Sequence, residues 1–201
     1  MSEASVSKGG RTRAEIVQAA YRLFSELGYH GTSMRQIAQK AGIALGGIYN
    51  HFASKEDIFV AVLMERPLYL DIIPAINAAH GASIEELVRN AAALMIRGLD
   101  ERPDFQNLMF IELVEFKGQH IPQLFQIAYP QIIGFAQQLM QLGEENLRPI
   151  PVPIVLRAFI GLFFSYFITD RLIGTQMPPE LQANAFDNFV DIFLHGILAE
   201  N

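Results

Sequence analysis

Between Thr32 and Lys55 the chain carries side chains suited to holding phosphates and base edges rather than to breaking bonds. Thr32, Ser33 and Tyr49 offer hydroxyls, Asn50 an amide, His51 an imidazole, and Arg35 and Lys55 cations. Such groups fix a protein on a nucleic-acid backbone, and an aromatic ring or an aliphatic side chain can meet a thymine methyl. Leu45, Gly46 and Gly47 are interleaved with them. Each glycine costs a helix roughly 1 kcal/mol relative to alanine. Close approach of another surface gives a reason for them that folding alone does not.

Little else in the chain offers chemistry. There is no cysteine, which removes thiol nucleophiles, thiolate metal sites and disulfides. Glu112 and Glu115 share a helix face at i, i+3, but His120 lies beyond Gly118, off that helix. The pairs Glu85-Glu86 and Glu144-Glu145 are adjacent and point apart on a helix, which makes them poor acid–base couples. No glycine-rich phosphate loop occurs. The expectation is a non-enzyme with no cofactor, no metal site and no catalytic residue.

The residues from 32 to 55 need a scaffold, and the apolar spacing supplies one. Ile16, Ala19, Ala20, Leu23, Phe24 and Leu27 recur on one face of a helix that Gly28 stops. Ser33 and Gln36 have capping-box spacing ahead of a short helix with Met34, Ile37, Ala38 and Ala41 inward. Gly42 leads a tight turn into a second short helix reaching about Asn50, with Ile48 and Phe52 inward. Two short helices crossing over such a turn form a helix-turn-helix, whose second helix is free to enter the major groove. Ser54 caps a long fourth helix, with Pro67 and Pro74 as kink sites. Further helices are predicted over about 83–100, 103–116, 122–143, 154–173 and 179–199. No strand signal appears. The expected fold is all-α: a three-helix DNA-binding head over residues 1–60 and a helical ligand-binding and dimerisation body over 61–201, about nine helices in all.

Composition agrees with that division. The 201 residues are 51% hydrophobic and only 18% charged, which excludes a disordered chain. The net charge is −6, yet residues 1–60 carry seven Lys and Arg against five acids, while the remainder carries eight against sixteen. A mildly basic head on an acidic body fits a DNA-reading module joined to a sensor. The start has no apolar signal region, and the apolar run 154–168 is short for a membrane span and contains Arg157. A cytoplasmic protein with no membrane partner is expected.

The sequence resembles the TetR family of regulators. The resemblance is carried by Ile16, Ala20, Leu23, Phe24, Gly28, Tyr29, Gly31, Thr32, Ser33, Ile37, Ala38, Ala41, Gly42, Ile43, Gly46, Ile48, Tyr49, His51, Phe52, Ser54, Lys55 and Glu56, over about residues 11–65. It implies a homodimer whose two recognition helices read successive half-sites of double-stranded operator DNA, with repression relieved by a small molecule. By similarity Thr32, Ser33, Tyr49, His51 and Lys55 are backbone contacts, while Leu45, Gly46, Gly47 and Asn50 face bases or sugars; Arg35 is a further candidate DNA-binding residue. His51 is equally consistent with packing beneath the recognition helix, and Arg11 and Arg13 with a solvated helix start. The family often carries a Ser-Lys pair and a Thr where this chain has Ala44, Leu45 and Gly47. Readout here therefore leans on van der Waals contact, DNA shape, or Arg11 and Arg13. The rival reading is a helical small-molecule carrier or enzyme without DNA binding.

The body is dense in aromatic residues with scattered polar groups, the usual make-up of a small-molecule pocket. Arg97, Phe110, Glu112, Glu115, Phe116, Tyr129, Phe163 and Tyr166 are the candidate lining for an effector of lipophilic character. The last two helices are apolar nearly all round. Phe159, Phe163, Phe167, Phe186, Phe189 and Phe193 are the candidates for a seam with a second copy.

Overall fold

The computed structural model describes residues 8–65, 69–143 and 147–198. In chain order the helices are α1 (Lys8–Leu27), α2 (Met34–Lys40), α3 (Leu45–Ile48), α4 (Lys55–Glu65), α5 (Tyr69–Asn77), α6 (Ile84–Asp100), α7 (Pro103–Glu115), α8 (Ile121–Gly143), α9 (Val152–Ile173), α10 (Pro179–Ala183) and α11 (Ala185–Ile197). A 3₁₀ turn, Gly174–Gln176, follows α9. No strand occurs among the described residues, only one isolated bridge between Leu147 and Leu198. The all-α expectation holds.

Among the described residues the expected fourth helix is represented by α4 and α5; the expected kink at Pro67 lies outside the described residues, and Pro74 sits inside α5. The last helix is divided at Asn184, which ends α10 and begins α11.

The chain forms two compact units. The first contains α1 to α4 together with residues 103–126, so α7 and the opening of α8 belong with the head. Its centre is apolar and fully enclosed: Ile16, Ala20 and Phe24 of α1 with Ile37, Ile48, Ile58 and Phe59. Leu108 of α7 is buried as well. At roughly 1.5–3 kcal/mol per large side chain removed from water, these few residues carry much of the unit's stability.

The second unit contains α5, α6, residues 127–143 of α8, and α9 to α11. Phe135, Phe159, Phe163 and Phe193 interlock there at ring separations of 4.8 to 6.0 Å. Leu87, Val88, Ala91, Ala92 and Met95 give α6 a buried stripe. One polar side chain is built into this packing. A regular helix pairs the Phe135 N–H with the Gln131 carbonyl. The Asn77 side chain meets both: its Oδ1 accepts from Phe135 N at 2.9 Å, and its Nδ2 donates to the Gln131 oxygen. A Cβ on Gly134 would lie 3.3 Å from that Oδ1, so the glycine makes room for the inserted amide.

Val152–Gln176 is long and apolar enough to cross a membrane by length and composition. Its stripe of Val155, Leu156, Phe159, Phe163 and Phe167 is buried in the chain's own core.

Candidate nucleic-acid interface

The interface starts where α1 stops. Gly28 takes φ +73, a left-handed conformation that ends the helix. Thr32 then folds back, and its hydroxyl donates to the Gly28 carbonyl at 2.9 Å. Ser33 caps α2 with both halves of the expected box. Gln36 N donates to Ser33 Oγ at 3.3 Å, and Ser33 N donates to Gln36 Oε1 at 2.8 Å. Gly42, at φ +70, turns the chain, and Ile43 N closes the turn on the Ala38 carbonyl at 3.0 Å. α3 is shorter than expected, ending at Ile48. The chain continues as turns, with His51 N and Phe52 N both donating to the Ile48 carbonyl at 3.0 Å.

α3 has one buried anchor, Ile48, and an open outer face. Leu45 is 43% exposed and Tyr49 53%, although both are large and apolar in character. Gly46, Asn50 and, on α2, Arg35 are exposed as well. A Cβ built on Gly46 or Gly47 meets no atom within 4 Å, and neither residue has positive φ. Nothing inside the head requires glycine at these two positions. Gly47 and His51 are half-buried. The structure thus gathers Ser33, Arg35, Leu45, Gly46, Gly47, Tyr49, Asn50 and His51 around one short helix and its approach.

Two of the expected backbone contacts, Thr32 and Lys55, also make bonds within the head. Thr32 is only 2% exposed and its hydroxyl is engaged on Gly28, so it shapes the turn and is closed to a phosphate. Lys55 is half-buried; its Nζ donates to the carbonyls of Tyr29 at 2.6 Å and Thr32 at 2.7 Å and lies 4.1 Å from the centre of the Tyr29 ring. Burial holds the Lys55 ammonium pKa below its ordinary value, opposed by the charge of Glu115. The N-terminal arginines are partly engaged too. Arg13 pairs with Glu65 and stacks 4.8 Å over Phe52, and Arg11 pairs with Glu15 at 3.7 Å.

Sequence reasoning missed what stands behind this corner. Tyr29 packs among Phe24, Phe59 and Phe116 at 4.9 to 5.7 Å, and Phe116 stacks on Phe59. Burial, then Glu56 and Glu115, push the Tyr29 phenol pKa upward. Glu112, fully buried, accepts from His120 N at 2.7 Å and lies 2.8 Å from His120 Nδ1. His30 and Glu115 meet at 2.6 Å. The sequence traces of this arrangement are Glu112, Glu115 and His120 around the Gly118 turn, with the aromatic Tyr29 and Phe116 beside glycine turns.

The eight residues of the expected pocket are divided between the two units. Glu112, Glu115 and Phe116 belong to the first unit and are engaged as described, and Phe110 is 51% exposed. Phe163 is fully buried among other rings. Arg97 and Tyr166 do come together, in a groove of about 450 Å³ floored by Tyr166, Phe167 and Phe186 and rimmed by Arg97, Asp100, Asp170 and Arg171. Tyr129 is not among that groove's lining residues.

The residues expected at the seam have partners in their own chain. Phe159, Phe163, Phe167 and Phe193 are buried inside their own chain, and Phe186 and Phe189 are half-buried against Tyr166. The free apolar surface of the last helices lies on another face. There Ile154, Ala158, Gly161 and Leu162 of α9 and Ile192 and Gly196 of α11 border a groove of about 690 Å³. A Cβ on Gly161 or Gly196 would meet nothing within 4 Å.

Known proteins resemble this chain in sequence and in fold. The family described as bacterial regulatory proteins, tetR family, matches residues 16–62. The chain is 31% identical over 182 residues to the HTH-type transcriptional repressor AcnR of Corynebacterium glutamicum, covering 88% of this chain and 90% of that protein. It is 26% identical over 171 residues to the HTH-type transcriptional regulator SrpR of Pseudomonas putida, covering 81% and 75%. A solved TetR family transcription regulator from Marinobacter aquaeolei VT8 shares the fold, with a TM-score of 0.64 at 16% identity over 94% of this chain and 96% of that one.

Proposed function

The chain belongs to the TetR family of DNA-binding transcriptional regulators, which act as dimers and are not enzymes, and from that membership we propose a cytoplasmic repressor released from its operator by a small molecule. The observation that carries the DNA reading is the outer face of α3, where Gly46 and Gly47 border open space and Leu45 and Tyr49 stand exposed. Arg35 and Ser33 flank it, and Asn50 and His51 follow it. Base reading falls to Leu45, Gly46, Gly47 and Asn50, mostly by close apolar contact and DNA shape. Backbone contact falls to Ser33, Arg35, Tyr49 and His51.

The test is a mobility shift on the DNA flanking the protein's own gene, followed by anisotropy across salt concentrations. Binding whose log affinity falls steeply and linearly with log salt is expected. Tyr49→Ala should weaken it about tenfold or more. No shift at any salt, or wild-type binding by Tyr49→Ala, sinks the assignment. Gly46→Ala should act in opposite directions on two readouts. It should raise thermal stability of the free protein by up to about 1 kcal/mol, because a helical glycine becomes alanine in open space. It should also lower DNA affinity, because the added methyl keeps the DNA at a distance. Calorimetry and anisotropy on the same variant check both signs.

The homodimer is assigned to the Ile154–Ala158–Leu162 face of α9 with Ile192 of α11, two copies forming a four-helix seam. Gly161 and Gly196 allow the backbones of the two copies to approach. For the effector, the groove holding Arg97 and Tyr166 is the site the side chains favour: an aromatic floor with a charged rim suits an amphiphilic molecule with a lipophilic body. Effector binding weakens DNA binding only through unequal affinity for the DNA-competent and DNA-incompetent states. Titration calorimetry with lipophilic candidates, compared between wild type and Tyr166→Ala, tests it. Equal binding by both moves the effector elsewhere.

A further inference from the structure

The groove of the second unit that holds Arg97 and Tyr166 has four charged side chains on its rim: Arg97 and Asp100 of α6, Asp170 and Arg171 of α9. Two of them satisfy each other. Arg171 Nη1 donates to Asp100 Oδ1 at 3.0 Å. A third, Arg97, has Glu101 of its own helix beside it, with 3.9 Å between Nε and Oε1. Asp170 is left. It is exposed, and its carboxylate has neither a hydrogen bond nor an ion pair among the described residues.

The residue one turn further on leaves room for that carboxylate. Gly174 is buried, and its φ of −52 is open to any residue. A Cβ there would stand 2.7 Å from Asp170 Oδ1 and 3.2 Å from its Cγ. The floor beside Asp170 is aromatic. The Tyr166 and Phe186 rings stand edge to face, 5.8 Å apart at 63°, and Phe189 meets Tyr166 at 5.1 Å. Rings set at such an angle offer walls in two directions to one guest. Burial, then the charges of Asp170 and Asp187, push the Tyr166 phenol pKa upward. Two carboxylates thus act on this ring. Asp187 has Arg89 as its basic partner, and Asp170 has none among the described residues. An anion in the groove would find Arg97, whose side chain is 70% exposed and already beside an acid. A cation would find an unpaired carboxylate and aromatic faces, the combination that recognises quaternary ammonium ions.

We propose that this groove takes organic cations, the charge held between the Tyr166 and Phe186 rings with Asp170 as its counter-ion and the lipophilic body lying along Ala93 and Ile96. This gives a charge to the effector assigned to the groove above. It rests on that assignment, and the two can fail separately.

The experiment uses the full chain and two ions of nearly equal size and opposite charge, tetraphenylphosphonium and tetraphenylborate. Titration calorimetry should show binding of the cation, with the anion about tenfold weaker or more. Asp170→Asn, an exposed and nearly isosteric change, should weaken the cation about fivefold, the upper end for an exposed charge pair. It should also flatten the fall of cation affinity with salt. Tyr166→Leu should weaken the cation about threefold through loss of the ring face. Arg97→Gln should leave cation affinity unchanged or raise it. The proposal is overturned if the anion binds as tightly as the cation, if neither binds, or if either Asp170→Asn or Tyr166→Leu binds the cation like wild type. Should Tyr166→Leu lose helical content, Asp170→Asn and its salt profile decide alone. The effector role is read separately, on a duplex that the wild-type protein recovers from a random-sequence pool. Cation bound in the groove with DNA affinity unchanged removes the effector role and keeps the cation site. Release of DNA by tetraphenylborate, abolished in Arg97→Gln, keeps the effector role and removes the cation site.

Discussion

Ala158→Glu is expected to leave the chain folded but monomeric at micromolar concentration, with operator affinity lowered by on the order of a hundredfold. Ala158 is exposed on α9, between Ile154 and Leu162 on the face left apolar by the second unit's own packing. A glutamate there reaches solvent in the monomer, so the cost to folding is small. In a two-fold seam it is placed against its own copy or against the apolar surface around Ile192, and the charge must be desolvated or repelled. Losing the second head removes the linked half-site contact, which is typically worth a factor of 10² to 10⁴ in avidity. Sedimentation and anisotropy measure the two effects together. A variant that stays dimeric with unchanged helical content places the seam on a different surface. The aromatic set Phe159, Phe163, Phe167 and Phe193 gives the contrast: alanine at any of these should cost core stability first, because each is buried within its own chain.

Glu112→Ala is expected to lower the midpoint of thermal unfolding by about 10 °C. Glu112 is fully buried, and its two oxygens serve the backbone N–H and the ring of His120. Removing the acceptor leaves the His120 N–H and a ring nitrogen without their partner, at about 1–3 kcal/mol each. For a chain of this size each kcal/mol moves the midpoint by about 2–4 °C. Glu112→Gln should cost less, since its side-chain carbonyl can still accept from His120 N. Circular dichroism melts check the order of the two variants. A loss below about 3 °C for Glu112→Ala shows that the pair is dispensable.

The head was legible from the sequence because each of its signals is local. Ser33 and Gln36 are three residues apart, Gly28 and Gly42 sit where the chain must turn left-handed, and Ile37, Ala38 and Ile48 alternate at helical spacing. All of these took their expected places. What the sequence did not reveal depends on contacts distant along the chain. Thr32 and Lys55 looked like surface donors because no local rule shows that the hydroxyl is closed over Gly28 or that the ammonium reaches back 26 residues to Tyr29. Glu112 looked like a ligand anchor because its partner, His120, lies past a glycine turn. The seam was placed on the largest side chains of α9 and α11, yet large aromatics are what a core takes first. The small and aliphatic residues Ala158, Gly161 and Ile192 are left outside. Helical periodicity shows that a second face exists but not which face the chain keeps for itself.

The amide of Asn77 within the hydrogen-bond ladder of α8 also bears on the order in which the protein assembles. The Phe135 N–H and the Gln131 carbonyl have a side-chain partner from α5, more than fifty residues earlier in the chain. That turn of α8 also carries Gly134 and follows Pro130, both weak helix formers. On a nascent chain, or in a peptide spanning only 121–143, the middle of this helix lacks what completes it. Its closure is thus a late folding event that waits for α5 to dock. Asn77→Leu should therefore speed unfolding more than it slows refolding, as expected of a contact made after the transition state.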